Sequence, residues 1–211
     1  MFRPQSHADA NAVRQVLAGR RDVFADLVTR YERAVKGIAL ASCRNVQEAE
    51  DLAQEAFLRA FKDLTRLRQP DHFGPWLIQI TRNLAVDRAR RTAARPLPSA
   101  LPDSDAFEED PAANELHRLL REEVMRLAPA FREAILLHYF SGKSAAEIGR
   151  LLGISRAAAL KRIQRGRQDL SSSLEKHLAD AFQDRRGKGA LVGAVMAAVA
   201  TCPLPARAHT A

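Results

Sequence analysis

Apolar residues recur at three- and four-residue intervals along most of this chain, and they seldom alternate with polar residues. That spacing gathers apolar side chains on one face of an α-helix, whereas a half-buried strand would show a two-residue period. The pattern therefore predicts an all-α fold. Helices are expected over residues 10–18, from residue 22 to a break at 42–45, and over 47–64, 76–91, 114–127 and 129–140.

Residues 144–170 have the pattern of a helix-turn-helix. Ser144 and Glu147 have the spacing of a capping box at a helix start. Gly153 can adopt the left-handed conformation that a tight turn between helices needs, and Ser155 can cap the second helix. A basic helix alone would be a weak signal, but these features together predict a DNA-binding motif.

Cations cover most of the second helix of this motif. They are Arg156, Lys161, Arg162, Arg165 and Arg167, with no acidic residue until Asp169. In a DNA major groove, the N-terminal side chains of such a helix reach base edges while flanking cations hold phosphates. A solvated basic helix in an ordinary bundle is the alternative, and the caps and the glycine turn favour DNA binding over it.

Residues 96–113 have the composition of a linker, with four prolines, five carboxylates and no Lys or Arg. Such a segment buries too little apolar surface to fold alone. It divides the chain into two small helical domains at residues 1–95 and 114–180, of which the second contains the helix-turn-helix. Residues 181–211 form a C-terminal extension, in which the apolar run at 190–202 is too short to cross a bilayer. We expect a regulatory appendage there.

The composition limits the class of function. A net charge of +8 favours a polyanionic partner. The two cysteines lie far apart, which fits a reducing cytoplasm and indicates no metal site, and the N-terminus lacks the apolar stretch of an export signal. No catalytic cluster or glycine-rich phosphate loop occurs in the sequence. We therefore expect a cytoplasmic protein that is not an enzyme, needs no cofactor or metal and has no small-molecule substrate.

The helix predicted over residues 47–64 is acidic, although the protein as a whole is basic. Its polar face presents Glu48, Asp51, Gln54 and Glu55, and its only cations are Arg59 and Lys62. A solvated acidic face, aided by the positive end of the helix dipole, is the simplest explanation of this pattern alone. The functional interpretation is a docking surface for a basic protein, since these carboxylates would repel DNA.

The next helix has the opposite sign. It carries Arg82, Arg88, Arg90, Arg91 and Arg95 with Asp87 as the sole acid among them. Asn83 lies beside these arginines and can hydrogen-bond base edges in two directions. Phe73 and Trp76 lie where aromatic rings could stack on unpaired bases. Trp76 also follows the apolar period, so we assign it to the core and expect the loop at residues 69–75 to contact a base.

Two sequence blocks, the linker and the helix-turn-helix occur in the order of a known family. The blocks are EAEDLAQEAFLRAF and FGPWLIQITRNLAVDRARR. Over residues 20–178 the chain resembles a bacterial RNA polymerase sigma factor of the two-domain extracytoplasmic-function class. The resemblance implies core RNA polymerase and promoter DNA as partners, with an anti-sigma factor or another regulator as a further candidate. It also implies that the acidic linker threads a basic polymerase channel.

The resemblance further implies roles for individual residues. In this family the first domain docks on the polymerase clamp and reads and opens the minus-ten element, and the second domain reads the minus-thirty-five element. The polymerase-facing residues would be Asp51, Gln54, Glu55 and Arg59. The minus-ten residues would be Asp71, His72, Phe73, Gly74, Asn83, Asp87, Arg88 and Arg91. The minus-thirty-five residues would be Ser155, Arg156, Ala158, Lys161, Arg162, Arg165 and Arg167.

The recognition helix departs from the family pattern at one place. Small polar residues often precede a Val-Lys pair there, whereas this chain has alanines at 157–159 followed by Leu160. Alanine side chains contact thymine methyl groups but make no hydrogen bonds. We therefore expect phosphate contacts to contribute more than base contacts at this helix.

Two other functions stay open on the sequence alone. A self-sufficient regulator would bind operator DNA without polymerase and use residues 20–95 for dimerisation or sensing. A nucleic-acid-processing enzyme would need an acid–base or metal-binding set that the sequence lacks. Dependence on polymerase distinguishes the regulator from the sigma factor. The acidic helix and the block of aromatic residues and arginines favour the sigma factor.

Overall fold

The computed structural model describes residues 4–43, 46–93 and 111–184. These ranges form helices and turns and no strand, which confirms the all-α fold. Their α-helices are α1 (Pro4–Leu17), α2 (Phe24–Leu40), α3 (Val46–Lys62), α4 (Phe73–Ala93), α5 (Pro111–Arg126), α6 (Pro129–Ile135), α7 (Ala145–Leu152) and α8 (Arg156–Asp184). None of these helices has both the length and the apolar character of a membrane span. Arg95, most of the predicted linker and the predicted C-terminal appendage beyond Asp184 lie outside the described residues.

Helices α2, α3 and α4 pack together in the first helical domain. Leu27, Ile38, Leu52 and Leu77 are fully buried where their apolar faces meet. Full burial of such a side chain contributes about 1.5–3 kcal/mol, so these faces explain why the amphipathic helices assemble. Trp76 is half-buried against the same core, in agreement with its predicted role.

Helices α1 and α4 begin earlier than the sequence predicted. α1 begins at Pro4 instead of near residue 10, and α4 begins at Phe73 instead of Trp76. The prediction that Gly74 and Pro75 belong to a loop was wrong, because both lie in the first turn of α4. Proline is tolerated there, since the first backbone N–H groups of a helix have no acceptor within it.

The second helical domain contains α6, α7 and α8, with α5 packed on α8. α5 begins at Pro111, inside the segment predicted as a linker. The single helix predicted over residues 129–140 consists of α6 and a wider π-helical turn at Leu136–Phe140. α6 and α8 approach closely at Gly166, where a Cβ would lie 2.8 Å from Ile135 Cγ1.

The two domains share one apolar core and are also joined by polar contacts. The Arg82 guanidinium forms two hydrogen bonds to the Glu133 carboxylate, and the Nε–Oε1 distance is 3.0 Å. Arg132 Nη1 donates to the Ala41 carbonyl at 2.7 Å. Burial lowers the pKa of Arg132. These contacts hold the domains in a closed arrangement.

Candidate nucleic-acid and protein interfaces

The turn between α7 and α8 confirms the predicted helix-turn-helix. Glu147 N donates to Ser144 Oγ at 3.3 Å, and Ser144 N donates to Glu147 Oε2 at 2.9 Å, which completes the capping box. Gly153 has φ 69° and ψ 32°, a left-handed conformation that glycine adopts without strain. Ser155 Oγ then accepts from Ala158 N at 3.1 Å and caps α8.

Gly149 is a second glycine on which this turn depends, and the sequence analysis missed it. A Cβ there would lie 2.8 Å from the Ile154 carbonyl oxygen and 3.3 Å from Arg156 N. Those atoms belong to the backbone of the turn, so they cannot move aside without disturbing it. The available signal was a glycine within an apolar-periodic helix, which often marks a close packing contact.

The exposed face of α8, which we call the minus-thirty-five surface, carries the predicted cations. Its exposed members are Ser155, Arg156, Lys161, Arg165 and Arg167, and its half-buried members are Ala158 and Arg162. Arg165 Nε lies 3.2 Å from Asp169 Oδ1 in an exposed ion pair, which costs little to exchange for a phosphate contact. Ala159 and Ile163 are buried on the opposite side of the helix.

The predicted minus-ten loop contains a 3₁₀ turn at Pro70–His72, followed directly by α4. Asp71 and His72 are exposed, and His72 Nδ1 lies 3.2 Å from Asp71 Oδ1. Phe73 is fully buried, with its ring centroid 5.6 Å from that of Tyr31. The Phe73 ring is therefore part of the core in this arrangement, and Asp71 and His72 are the side chains that the turn presents to a ligand.

An exposed row along α4 contains Asn83. Its Oδ1 accepts from Gln79 Nε2 at 2.9 Å. Asp87 and Arg91 follow at exposed positions on the next two turns, and Arg91 Nε donates to the Asp87 carbonyl at 3.3 Å. This row and the Pro70–His72 turn together form what we call the minus-ten surface. Gln79 belongs to the row by its position, although the sequence analysis did not single it out.

Arg82 and Arg88 of α4 lie outside this row and bind other parts of the protein. Arg88 is half-buried, and its Nη1 donates to the Glu48 carbonyl at 3.2 Å. Its Nη2 lies 3.9 Å from Asp51 Oδ2. Arg82 binds Glu133 in the second domain. The structure therefore places Arg88 between α4 and the acidic helix, and not beside Asn83.

The acidic helix α3 exposes Asp51, Gln54 and Glu55, which we call the docking face. Arg59, the fourth residue predicted for this role, is also exposed and pairs with Asp63 on the next turn. The structure thus exposes two carboxylates and an amide on one side of α3, while the positive charge of Arg59 is matched by Asp63.

An apolar groove of about 460 Å³ lies between α2 and α3, beside the docking face. Phe57, Phe61 and Gln54 are among its lining residues. Leu58 also lines the groove, and 55% of its surface is exposed. The sequence analysis missed this groove because it exists only once α2 and α3 have packed.

A cleft of about 780 Å³ lies between the two domains. Asp71 and His72 line it from the first domain, and Ser155 and Arg156 line it from the second. Residues predicted to read two different promoter elements therefore face one cleft. The sequence could not predict this contact, because a linker composition sets no distance between the domains it joins.

Together these surfaces define a class of protein: an all-helical DNA-binding protein with a helix-turn-helix, a second polar row on an arginine-rich helix, and an exposed acidic helix face. Two family models match the chain in the same places. Sigma-70 region 2 matches residues 27–95, and Sigma-70, region 4 matches residues 117–170.

Three curated relatives extend these matches. The probable RNA polymerase sigma factor RfaY of Xanthomonas campestris pv. campestris is 36% identical over 203 residues, which cover 92% of this chain and 50% of RfaY. The chain thus spans about half the length of that relative. It covers 94% of the ECF RNA polymerase sigma factor SigW of Bacillus subtilis at 31% identity, and that match takes in 77% of this chain. For CarQ of Myxococcus xanthus the identity is 35%, with 74% of this chain and 91% of CarQ covered.

Solved structures share the architecture. The structure of CnrH in complex with the cytosolic domain of CnrY has a TM-score of 0.59 and 28% identity, and the match covers 80% of this chain and 98% of CnrH. The sigma factor RpoE in complex with the anti-sigma factor NepR from Bartonella quintana shares the fold, with a TM-score of 0.53 and 21% identity over 74% of this chain and 98% of that chain. The chain belongs to the extracytoplasmic-function sigma factors, which bind core RNA polymerase and direct it to promoters.

Membership of this family decides between the functions left open by the sequence. Residues that a self-sufficient regulator would use for dimerisation or sensing match Sigma-70 region 2 instead. The alternative of a regulator that acts without polymerase is therefore excluded. Sigma factors are initiation factors and not enzymes.

Proposed function

We propose that the docking face of α3 binds core polymerase, that the minus-ten surface binds the opened promoter strand, and that the minus-thirty-five surface binds duplex DNA. The proposed functional units are residues 1–95, the linker 96–113, residues 114–180 and the extension 181–211. The first unit would carry the docking face and the minus-ten surface, and the third would carry the minus-thirty-five surface.

The separation of charge supports the proposed docking face. Asp51 and Glu55 lie exposed on α3 in a protein of net charge +8, and the adjoining groove exposes Leu58. A polymerase segment with basic residues beside an apolar stripe would complement both features. Charge complementarity also disfavours the wrong partner, since DNA would be repelled by this face.

The chemistry of the minus-ten surface supports strand binding. The Asn83 amide can donate to and accept from a base edge, and a carboxylate such as Asp71 can accept from an exocyclic amine. Arg91 supplies a nearby positive charge for the phosphates of the same strand. The same groups can hydrogen-bond the Watson–Crick edges, which become free only when the strands part, and we infer that they act on the opened strand.

Promoter binding would require the domains to separate. Bases of a duplex are read in a major groove about 12 Å wide, and the interdomain cleft of about 780 Å³ cannot admit a duplex. Ser155 and Arg156 line that cleft in the closed arrangement. We infer that the domains part when the protein binds polymerase.

A protein regulator is a second proposed partner. The similar structure of CnrH contains the cytosolic domain of CnrY bound to it. The groove between α2 and α3 offers a bound regulator the same apolar surface that we propose for polymerase. Regulator and polymerase would then compete for this sigma factor.

Charge reversal in the full chain tests the docking proposal. The double variant Asp51→Lys, Glu55→Lys should bind core polymerase at least about tenfold more weakly, because close charge pairs at interfaces contribute about 1.5–7 kcal/mol. The double variant Asp26→Lys, Glu175→Lys changes the net charge equally at exposed positions outside α3 and serves as the control. Unaltered polymerase affinity in the α3 variant, with unchanged helix content, would contradict the proposal.

Run-off transcription with core polymerase across a promoter library tests the DNA-binding assignments. On a promoter selected in this way, Asn83→Ala should reduce permanganate-detected strand opening more than it reduces polymerase binding. Equal loss of both would mean that Asn83 supports the fold and does not bind the strand.

A further inference from the structure

The N-terminal helix α1 lies outside both family matches, which begin at residues 27 and 117. It nevertheless packs against the Pro70–His72 turn of the minus-ten surface. Its Asp9 is only 2% exposed. A buried carboxylate is costly unless other groups compensate for its lost hydration, so the partners of Asp9 indicate why it is there.

Asp9 binds two residues of α2. Tyr31 Oη donates to Asp9 Oδ2 at 2.6 Å, and the Arg30 guanidinium forms an ion pair with Oδ1. Burial is the larger cause, and the hydrogen bond to Asp9 the next, of a pKa of the Tyr31 hydroxyl above its ordinary value. Asp9 thereby fixes the end of the Tyr31 side chain.

The Tyr31 ring in turn contacts the first turn of α4. A Cβ on Gly74 would lie 2.6 Å from Tyr31 Oη and 2.8 Å from Cε1, so the backbone of α4 touches this ring. The fully buried Phe73 packs on the same ring. Since Asp71 and His72 directly precede Phe73, the position of Tyr31 determines where those two side chains are presented.

We propose that Asp9 is a positioning residue for minus-ten recognition, and that it acts through Tyr31 on the Pro70–His72 turn. In the closed arrangement Asp9 is only 2% exposed, and its contact with the minus-ten surface runs through Tyr31. The proposal extends the strand-binding surface to α1 and rests on the proposed function of Asp71 and His72. It assigns a role to a part of the chain that neither family model covers.

The test uses holoenzyme assembled from core polymerase and the full chain, with a promoter selected from a library. Its probes are the single-stranded non-template minus-ten segment and a minus-thirty-five duplex. Asp9→Ala should lower strand affinity about tenfold, equivalent to about 1.4 kcal/mol, and leave core and duplex affinity unchanged. Asp9→Asn keeps an acceptor for Tyr31 and should restore most of the loss.

Val13→Ala is the matched control, because Val13 is fully buried on the same helix and belongs to the apolar core. If Asp9 only stabilised α1, both variants would lose strand affinity in proportion to their loss of melting temperature, and the proposal would be overturned. Tyr31→Phe provides a second test should Asp9→Ala fail to fold. It removes the hydroxyl alone and should lower strand affinity in the same way.

The Asp71→Ala variant distinguishes a wrong positioning role for Asp9 from a wrong assignment of the minus-ten surface. If Asp71→Ala weakens strand binding and neither Asp9→Ala nor Tyr31→Phe does, the positioning role is wrong and the minus-ten surface stands. If Asp71→Ala and His72→Ala both leave strand affinity unchanged, the assignment of the turn is wrong and the inference fails with it.

Discussion

The two proposed DNA-binding surfaces are constructed in different ways. The minus-thirty-five surface is shaped by residues close in sequence, namely the capping box, two glycines and the Ser155 cap, all between residues 144 and 155. The Pro70–His72 turn of the minus-ten surface is held by contacts with α1 and α2. One surface depends on local geometry, whereas the other depends on packing between distant segments.

Because of this difference, we expect the two surfaces to be impaired by different substitutions. Local caps and turns form as soon as their own residues adopt the right backbone conformation. Long-range contacts require the ordering of all the chain between them. Substitutions at the caps and glycines of residues 144–155 should therefore impair duplex binding, and substitutions at Asp9 or Tyr31 should impair strand binding.

The largest effect should follow from Gly149→Ala. The added Cβ would lie 2.8 Å from the Ile154 carbonyl oxygen, and overpacking of this kind costs about 1–3 kcal/mol. We expect the upper end of that range, because the contact is with backbone. Duplex binding should fall with the free energy of unfolding, measured by denaturant titration, while Ala146→Ser at an exposed position of α7 changes neither. Equal loss of strand and duplex binding would contradict the local construction of the turn.

The Arg82–Glu133 ion pair links the two surfaces, since it joins α4 to α6. Arg82→Glu alone should lower the free energy of unfolding by about 2 kcal/mol, which lies between the values for breaking exposed and buried ion pairs. The side chains are 27% and 16% exposed. The exchanged pair Arg82→Glu, Glu133→Arg should recover much of this loss in a double-mutant cycle. Small-angle scattering should show the single variant expanded and the exchanged pair compact again. Additive effects would mean that the pair does not hold the domains together.

Gly74→Ala should have a smaller effect on stability, about 1–2 kcal/mol, because the Tyr31 ring can rotate partly away. The change should still displace the Pro70–His72 turn and weaken strand binding. Duplex binding should stay at the wild-type level, which a comparison of both probes on the same holoenzyme would show. Loss of duplex binding in this variant would indicate that the two surfaces are not independently constructed.

The smallest effect should follow from Arg167→Ala. Arg167 is exposed on α8, and its removal should leave stability unchanged. If Arg167 contacts one phosphate, the slope of log K against log salt should become less negative by about 0.9, with all duplexes weakened alike. A change confined to one promoter sequence would instead indicate a base contact.

The sequence predicted the parts of this structure that local chemistry specifies. The cap at Ser144, the turn at Gly153 and the outward cations of α8 follow from spacing alone. The sequence could not predict that Phe73 is buried in the core or that Arg88 lies against α3, because both depend on how α2, α3 and α4 pack. The roles of the individual docking and DNA-binding residues stay predictions.

The place of Arg88 has a consequence for the thermodynamics of promoter recognition. Arg88 belongs to α4, which carries part of the proposed minus-ten surface, yet it donates to the Glu48 carbonyl and lies 3.9 Å from Asp51 on α3. A ligand that draws Asp51 away changes the free energy needed to move Arg88. Linkage is reciprocal, so a strand that engages Arg88 must alter the affinity of α3 for its partner by the same factor. The effect of the strand on the affinity of α3 for its partner, and the effect of that partner on the affinity for the strand, would then report the same coupling free energy.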